Sequence, residues 1–279
     1  MHAPTSPETA SLRGGARPLG SAASPTDALL RELVRRAGEE ILRHFRVARG
    51  ESKPDGTFVT AADRAAEAIL VSGLRAAFPD DSVISEEGGG HLGTSGRRWF
   101  VDPLDGTGAF LEGLPTWSVT LARLAADGEV EHGVVWMPRA DTYAYVERGL
   151  GAFRDGSRLT RFGEGSLNRE AILYVPSRLH AFARLRWPGK ARCVGSTAVH
   201  LAMVAGGGAE AALIGPGWQP WDIAAGVALI EAVGGVVQGF DGQPLNRGEA
   251  GGGAFVAGTA EAVRWLQTPG HLRPFGPAT

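Results

Sequence analysis

Leu29, Leu30, Leu33, Val34, Ala37, Ile41, Leu42 and Phe45 recur at helical intervals along SPTDALLRELVRRAGEEILRHFR, which gathers them on one face. The pattern predicts an amphipathic helix over 27–46, with Thr26 or Asp27 at the N-cap. ARGESKPDGTFVT breaks the period with glycine, proline and charge, and AADRAAEAILVSGLRAAF resumes it in a second helix that stops before Pro79. DSVISEE and RRWFVD are short apolar runs closed by acids and read as strands. Between 116 and 153 the pattern becomes β-rich: TWSVTLARL, VEHGVVWM and TYAYVERG, separated by AADGE and PRAD, predict an antiparallel meander. Beyond 165, strands (EAILYVPS, KARCVGS, AEAALIG, GVVQGFDG, GGAFVAGT) alternate with helices (STAVHLAMVAGGG, PWDIAAGVALIEAVGG, TAEAVRWLQT). This order predicts a layered α/β (α+β) fold.

Composition narrows the class. The 279 residues suffice for one large domain, 26–279, whose halves divide near 160 (26–160 and 161–270). The opening MHAPTSPETASLRGGARPLGSAASPTD lacks an apolar signal segment and is rich in Ala, Pro, Ser, Gly and Thr, so residues 1–25 are expected to form a disordered leader. A net charge of −2 sets up no basic field for nucleic acid or anionic lipid, and neither partner is expected. No run of about 18 apolar residues is present to span a membrane. Cys193 is the only cysteine, which excludes an intrachain disulfide and suits a cytoplasmic location. Lys53 and Lys190 are the only lysines, so Lys53 stands out beside the acids described next.

SEEGG (85–89) and WFVDPLDGTGAF (99–110) crowd Glu86, Glu87, Asp102 and Asp105 together, which like charges resist unless a cation neutralises them. Pro103 turns the chain after Asp102, and Gly106 lets the backbone approach a ligand. Two carboxylates and the Leu104 carbonyl can face one ion, and hard oxygen donors suit Mg²⁺. The N–H groups of Gly106 and Thr107 can then hold a phosphate oxygen. The same residues also suit an ordinary turn, and paired glutamates an ordinary solvated surface. Asp222 in QPWDIAAG is either a helix N-cap or a further acid of the site. Asp63 in KPDGTFVTAAD, beside Lys53 and Thr60, is either a cap or the partner of a hydroxyl that activates water. A D-x-D-G-T nucleophile of the haloacid-dehalogenase type is excluded, because Leu104 stands where its second acid belongs. A calcium loop is excluded by the missing alternation of oxygen ligands. His132 on a predicted strand and His200 on a predicted helix suit packing better than catalysis.

Together KPDGTFVTAAD, SEEGG, WFVDPLDGT and PWDIAAG, in this order, resemble the inositol monophosphatase family of Mg²⁺-dependent, typically lithium-sensitive phosphatases over about residues 28–265. The resemblance implies an α-β-α-β-α sandwich of the sugar-phosphatase type, assembled as a homodimer. It implies that Glu86, Asp102, Asp105, Asp222 and the Leu104 carbonyl hold two or three Mg²⁺ ions. Glu86, Asp63 and Thr107 would serve the catalytic water, Gly106 and Thr107 the phosphate, and Lys53, Thr60 and Glu87 would support them. Asp105, Asp222 and the GSTA segment (Gly195, Ser196, Thr197) would meet the alcohol part of a small phosphorylated metabolite. Hydrolysis would proceed by in-line attack of water, without a covalent intermediate.

One position departs from the inositol-specific pattern. Those members carry a glutamate seven residues before the aspartate of W-D, where this chain has Gly215. RRWFVDPLDGTGAFLEGLPTWSVTLA is similar to histidinol-phosphate phosphatases of the family, and IGPGWQPWD to its 3′-phosphoadenosine-5′-phosphate phosphatases. The sequence therefore reads as a Mg²⁺-dependent phosphomonoesterase of the inositol-1-phosphate type, with those two branches as alternatives. An idle scaffold of the same fold would be marked by a lost ligand, and none of the expected ligands is missing.

Overall fold

Ser24 caps the first helix, where Thr26 or Asp27 was expected. In the computed structural model α1 spans Pro25–His44, and the Asp27 N–H donates to Ser24 Oγ at 3.1 Å. Proline opens the helix because its fixed φ suits the first turn and its missing N–H would have no partner there. Ser24 and Pro25, the last two residues of the expected leader, serve as cap and first residue of α1. The structure describes residues 23–53, 58–160, 162–163, 167–240, 242–249 and 251–274; the rest of the leader and part of KPDGTFVTAAD lie outside these.

After α1 come β1 (Glu51–Ser52), β2 (Phe58–Val59), α2 (Ala61–Ala77), β3 (Ser82–Ser85), β4 (Arg98–Asp105) and α3 (Thr107–Leu111). The meander follows as β5 (Ser118–Leu124), β6 (Val130–Met137), β7 (Thr142–Glu147), β8 (Gly151–Arg154) and β9 (Ser157–Arg158). The second half holds β10 (Ile172–Tyr174), α4 (Leu179–Phe182), β11 (Ala183–Leu185), β12 (Lys190–Arg192), α5 (Thr197–Ala205) and β13 (Ala211–Ile214). It closes with α6 (Pro220–Ala232), β14 (Val236–Gly239), β15 (Phe255–Gly258), α7 (Ala260–Gln267) and β16 (Leu272–Pro274).

Two large sheets result. One has seven strands in the order β3-β4-β5-β6-β7-β8-β9, parallel between β3 and β4 and antiparallel elsewhere. The other has five, β12-β10-β13-β15-β14, with β12, β10 and β13 parallel and β15 antiparallel to both its neighbours. Alternation along the strands shows how they stack. Trp99 and Val101 of β4, and Tyr143 and Tyr145 of β7, pack with α1 and α2, whereas Phe100, Ala144 and Val146 face α5 and α6. In β13, Ala212 and Ile214 face the same two helices from the opposite side, while Ala211 and Leu213 pack with α7. The layers are thus α1/α2, seven-stranded sheet, α5/α6, five-stranded sheet and α7, the α-β-α-β-α sandwich that the resemblance implied.

The central position of α6 explains its sequence. From Ile223 to Ile230 every residue is buried, because a helix between two sheets has no solvated face. Gly226 marks its crossing with α5, where an added Cβ would lie 2.5 Å from Leu201 Cβ. His200 of α5 is buried, as a packing residue should be. Its ring stacks on Tyr174 at 5.0 Å and its Nε2 accepts the Val194 N–H at 3.0 Å, so it is the neutral form that fits, and burial lowers its pKa to about 4.

Candidate active site

β4 carries the first acids to one end of the seven-stranded sheet. Its register with β5 slips between Asp102, opposite Thr120, and Asp105, opposite Ser118. Pro103 has no N–H for the ladder, so the strand bulges and re-aims the side chains that follow. The Leu104 N–H turns back to Asp102 Oδ1 at 2.9 Å. Gly106 then adopts φ 92°, and a Cβ there would meet Ser196 Cβ at 3.0 Å and the Gly195 carbonyl at 3.1 Å. Glycine is needed on both counts.

Helix starts bring in the remaining residues. Asp63 lies in the first turn of α2, where its Oδ2 accepts from the Thr60 N–H at 2.8 Å and from Thr60 Oγ1 at 2.6 Å. Its Oδ1 is left to face Thr107 Oγ1 at 3.3 Å, and the same hydroxyl lies 3.1 Å from the Leu104 carbonyl. Asp222 accepts the Gln219 N–H at 2.8 Å at the start of α6. Asp105 accepts the Ala198 N–H at 2.7 Å from the first turn of α5, together with the hydroxyl of Ser196. The cap and site readings of Asp63 and Asp222 are therefore compatible: each uses one carboxylate oxygen at its helix start. The positive ends of α2, α5 and α6 also face this group of acids, which favours negative charge there.

The electrostatics show how far the acids crowd one another. Burial raises the pKa of Asp102 well above the ordinary carboxylate value, and the charges of Glu86, Asp105 and Asp222 raise it further. Burial also lifts Asp105 to about 6, despite the opposing bonds from Ser196 and Ala198. Asp222 is pushed up to about 8 by burial and then by the charge of Asp105. Asp63 is raised too, chiefly by burial. One cation of the chain answers part of this charge: Lys53 Nζ lies 2.7 Å from Glu86 Oε1 and 2.6 Å from Glu87 Oε1. Burial works against the ammonium, but its bonds to the two glutamates outweigh that and hold its pKa above the lysine norm. Glu86 and Glu87 are thus tied to the β1–β2 segment, a link the spacing alone did not reveal.

The structure gathers Glu86, Asp102, Asp105 and Asp222 into mutual electrostatic range, yet among the described residues no three His, Cys, Asp or Glu side chains are drawn in as a ready ion cage. The donor set is nevertheless the kind that suits Mg²⁺: buried carboxylates that disfavour their own ionised forms, and a bent backbone carbonyl at Leu104. A divalent ion would supply the positive charge this arrangement lacks. Of the GSTA segment, Ser196 is buried as the N-cap of α5, accepting the Val199 N–H at 3.1 Å, and donates its hydroxyl to Asp105. Gly195 is exposed and Thr197 half-buried beside it.

Comparison with known proteins places the chain in one family. The inositol monophosphatase family matches residues 22–266. A histidinol-phosphatase of Chlorobaculum parvum is 37% identical over 223 residues, covering 76% of this chain and 85% of that protein. A fructose-1,6-bisphosphatase/inositol-1-monophosphatase of Thermotoga maritima is 34% identical over 224 residues, covering 77% and 85% respectively. The solved extragenic suppressor protein SuhB of Bartonella henselae superposes with a TM-score of 0.77 at 26% identity, over 88% of this chain and 100% of that one. The sandwich, the acids at its helix starts and these matches make the chain a member of the inositol monophosphatase family.

Proposed function

We propose that the chain hydrolyses phosphomonoesters of small alcohols with Mg²⁺, by attack of water and without a covalent enzyme intermediate. The observation that carries this reading is the group of Glu86, Asp102, Asp105 and Asp222, buried or half-buried together, whose three aspartates are pushed toward their acid forms. These side chains and the Leu104 carbonyl would hold Mg²⁺, which would supply charge to neutralise phosphate oxygens and make a water more acidic. The protein's own part is positioning. Thr107 Oγ1 has one proton to direct at Asp63 Oδ1 or the Leu104 carbonyl, which leaves its lone pairs to accept from the attacking water. Asp63, raised by burial, is the group next in line for a proton. The N–H groups of Gly106 and Thr107 lie where a helix start leaves donors unpaired, and take a phosphate oxygen. Lys53 donates to both Glu86 and Glu87, so Glu87 helps hold the ammonium that positions Glu86, and Thr60 holds Asp63.

Thr107→Val keeps the shape of the side chain and removes its hydroxyl. It is expected to lower kcat about a hundredfold with KM nearly unchanged, the signature of a lost water-orienting group. Steady-state phosphate release checks this, and a loss confined to KM would contradict the role.

Substrate choice is tested by phosphate release from inositol 1-phosphate, histidinol phosphate, fructose 1,6-bisphosphate and 3′-phosphoadenosine 5′-phosphate, each with Mg²⁺ and with chelator. Gly215 favours a second reading within the same reaction, hydrolysis of histidinol phosphate, since the glutamate that suits a polyol is absent and the Chlorobaculum parvum relative is a histidinol-phosphatase. Homodimeric assembly and a cytoplasmic location complete the proposal. Kinship also leads us to expect inhibition by lithium at millimolar concentration, and a flat LiCl titration would count against it.

A further inference from the structure

The ends of three parallel strands lie beside the acids. β12, β10 and β13 lie side by side, so the segments following them, 193–196, 176–178 and 215–219, emerge at one edge. Open α/β sheets bind ligands at this edge. The first segment leads to Ser196 on Asp105 and the last to Asp222, so the middle one flanks the same carboxylates. That middle segment continues into α4, whose last residue, Phe182, turns its half-buried ring against Gly215. A Cβ at 215 would lie 3.2 Å and 3.3 Å from Phe182 Cε1 and Cζ. A glutamate there would have to displace the ring.

None of the three segments carries a carboxylate of its own, so beyond Asp105 and Asp222 they offer the hydroxyls of a polyol no charged acceptor. An aromatic ring takes the place of such an acceptor, and it offers a flat apolar contact to a flat partner. We infer that Phe182 selects phosphomonoesters whose alcohol carries a flat unsaturated ring over those of polyols, an inference that rests on the phosphatase reading above. Ring and phosphate are read by different parts of the cleft. Phe182 therefore governs preference among alcohols and leaves the hydrolytic step itself to the acids.

The test is steady-state phosphate release with Mg²⁺ from histidinol phosphate, benzyl phosphate and myo-inositol 1-phosphate. For the native chain, kcat/KM on the two ring-bearing esters is expected to exceed that on the polyol ester roughly tenfold, as one to two stacking contacts allow. Phe182→Leu should lower both ring-bearing esters about five- to tenfold and leave the polyol ester within about twofold. Phe182→Tyr, which retains the ring, should keep the native preference. Partial unfolding lowers all three esters alike, so an unequal loss reports the ring contact itself. Equal loss on all three, or a native preference for the polyol, would overturn the inference while leaving the phosphatase reading intact. No release from any of the esters by the native chain would overturn that reading, and this inference with it.

Discussion

Asp105→Asn is expected to lower kcat/KM for phosphate release about a thousandfold, on the order of 4 kcal/mol of transition-state stabilisation, while the chain stays folded. Asp105 joins two halves of the molecule. It ends β4 in the seven-stranded sheet and accepts from Ser196 and Ala198 at the start of α5. An asparagine can keep its oxygen on those donors, which preserves the fold, but then it turns an amide N–H₂ toward Glu86 and Asp222. That side no longer attracts a cation, so activity is lost without the structure. Phosphate release measured beside far-UV circular dichroism separates the two effects. A folded variant that kept a tenth of the native rate would contradict the role given to Asp105.

The second large effect concerns stability without metal. Carboxylates whose folded-state pKa lies above the unfolded value stabilise the fold below the unfolded value, near 4, and lose that contribution as pH rises through the folded one. Asp105, at about 6, and Asp222, at about 8, put this loss between about pH 4 and 8, and Asp102 is raised in the same direction. The metal-free chain is therefore expected to lose on the order of 3–5 kcal/mol of stability across that window. Mg²⁺ should restore it, and by more at pH 8.5 than at pH 5.5, where the acids hold protons that compete with the ion. Thermal unfolding with chelator and with excess Mg²⁺ at the two pH values measures both. A metal-free midpoint that rises with pH would contradict the crowding of these acids.

Much of the fold was legible in the hydrophobic pattern, and the reason is periodicity. α1, α2, α6 and the meander from β5 to β7 bury one face or all faces at a fixed repeat, so each leaves its own signature. The elements that leave no such signature are two to five residues long: β1, β2, α3, β8, β9, α4, β11 and β16. Such short pieces carry no period and exist because a partner strand or a neighbouring layer holds them, as β11 is held by β16. The start of α1 was placed late because Ser24 and Pro25 resemble the polar residues before them, and only the backbone shows serine accepting from the first turn.

The site divides the same way. Asp102, Asp105 and Gly106 announced themselves, because proline and glycine flank acids there for a geometric reason that spacing reveals. Asp63 and Asp222 stay ambiguous in sequence, because a cap and a site acid use the same residue type; the structure shows each capping its helix with one carboxylate oxygen, which is compatible with a site role for the other. Lys53 at Glu86 and Glu87, Ser196 at Asp105 and Phe182 against Gly215 are contacts between distant parts of the chain. No local pattern encodes them. The lone lysine before the acids was the nearest thing to a signal.

Mg²⁺ held among the four acids is what we propose makes the chain a phosphatase. The most direct measurement strips the native protein of metal and titrates Mg²⁺ back at pH 8, following phosphate release from histidinol phosphate and inositol 1-phosphate together with the thermal midpoint. Release and midpoint are expected to rise over the same range of Mg²⁺ concentration, from no release in chelator. Phosphate released at the full rate in chelator, or activity returning with a midpoint that does not move, would contradict it.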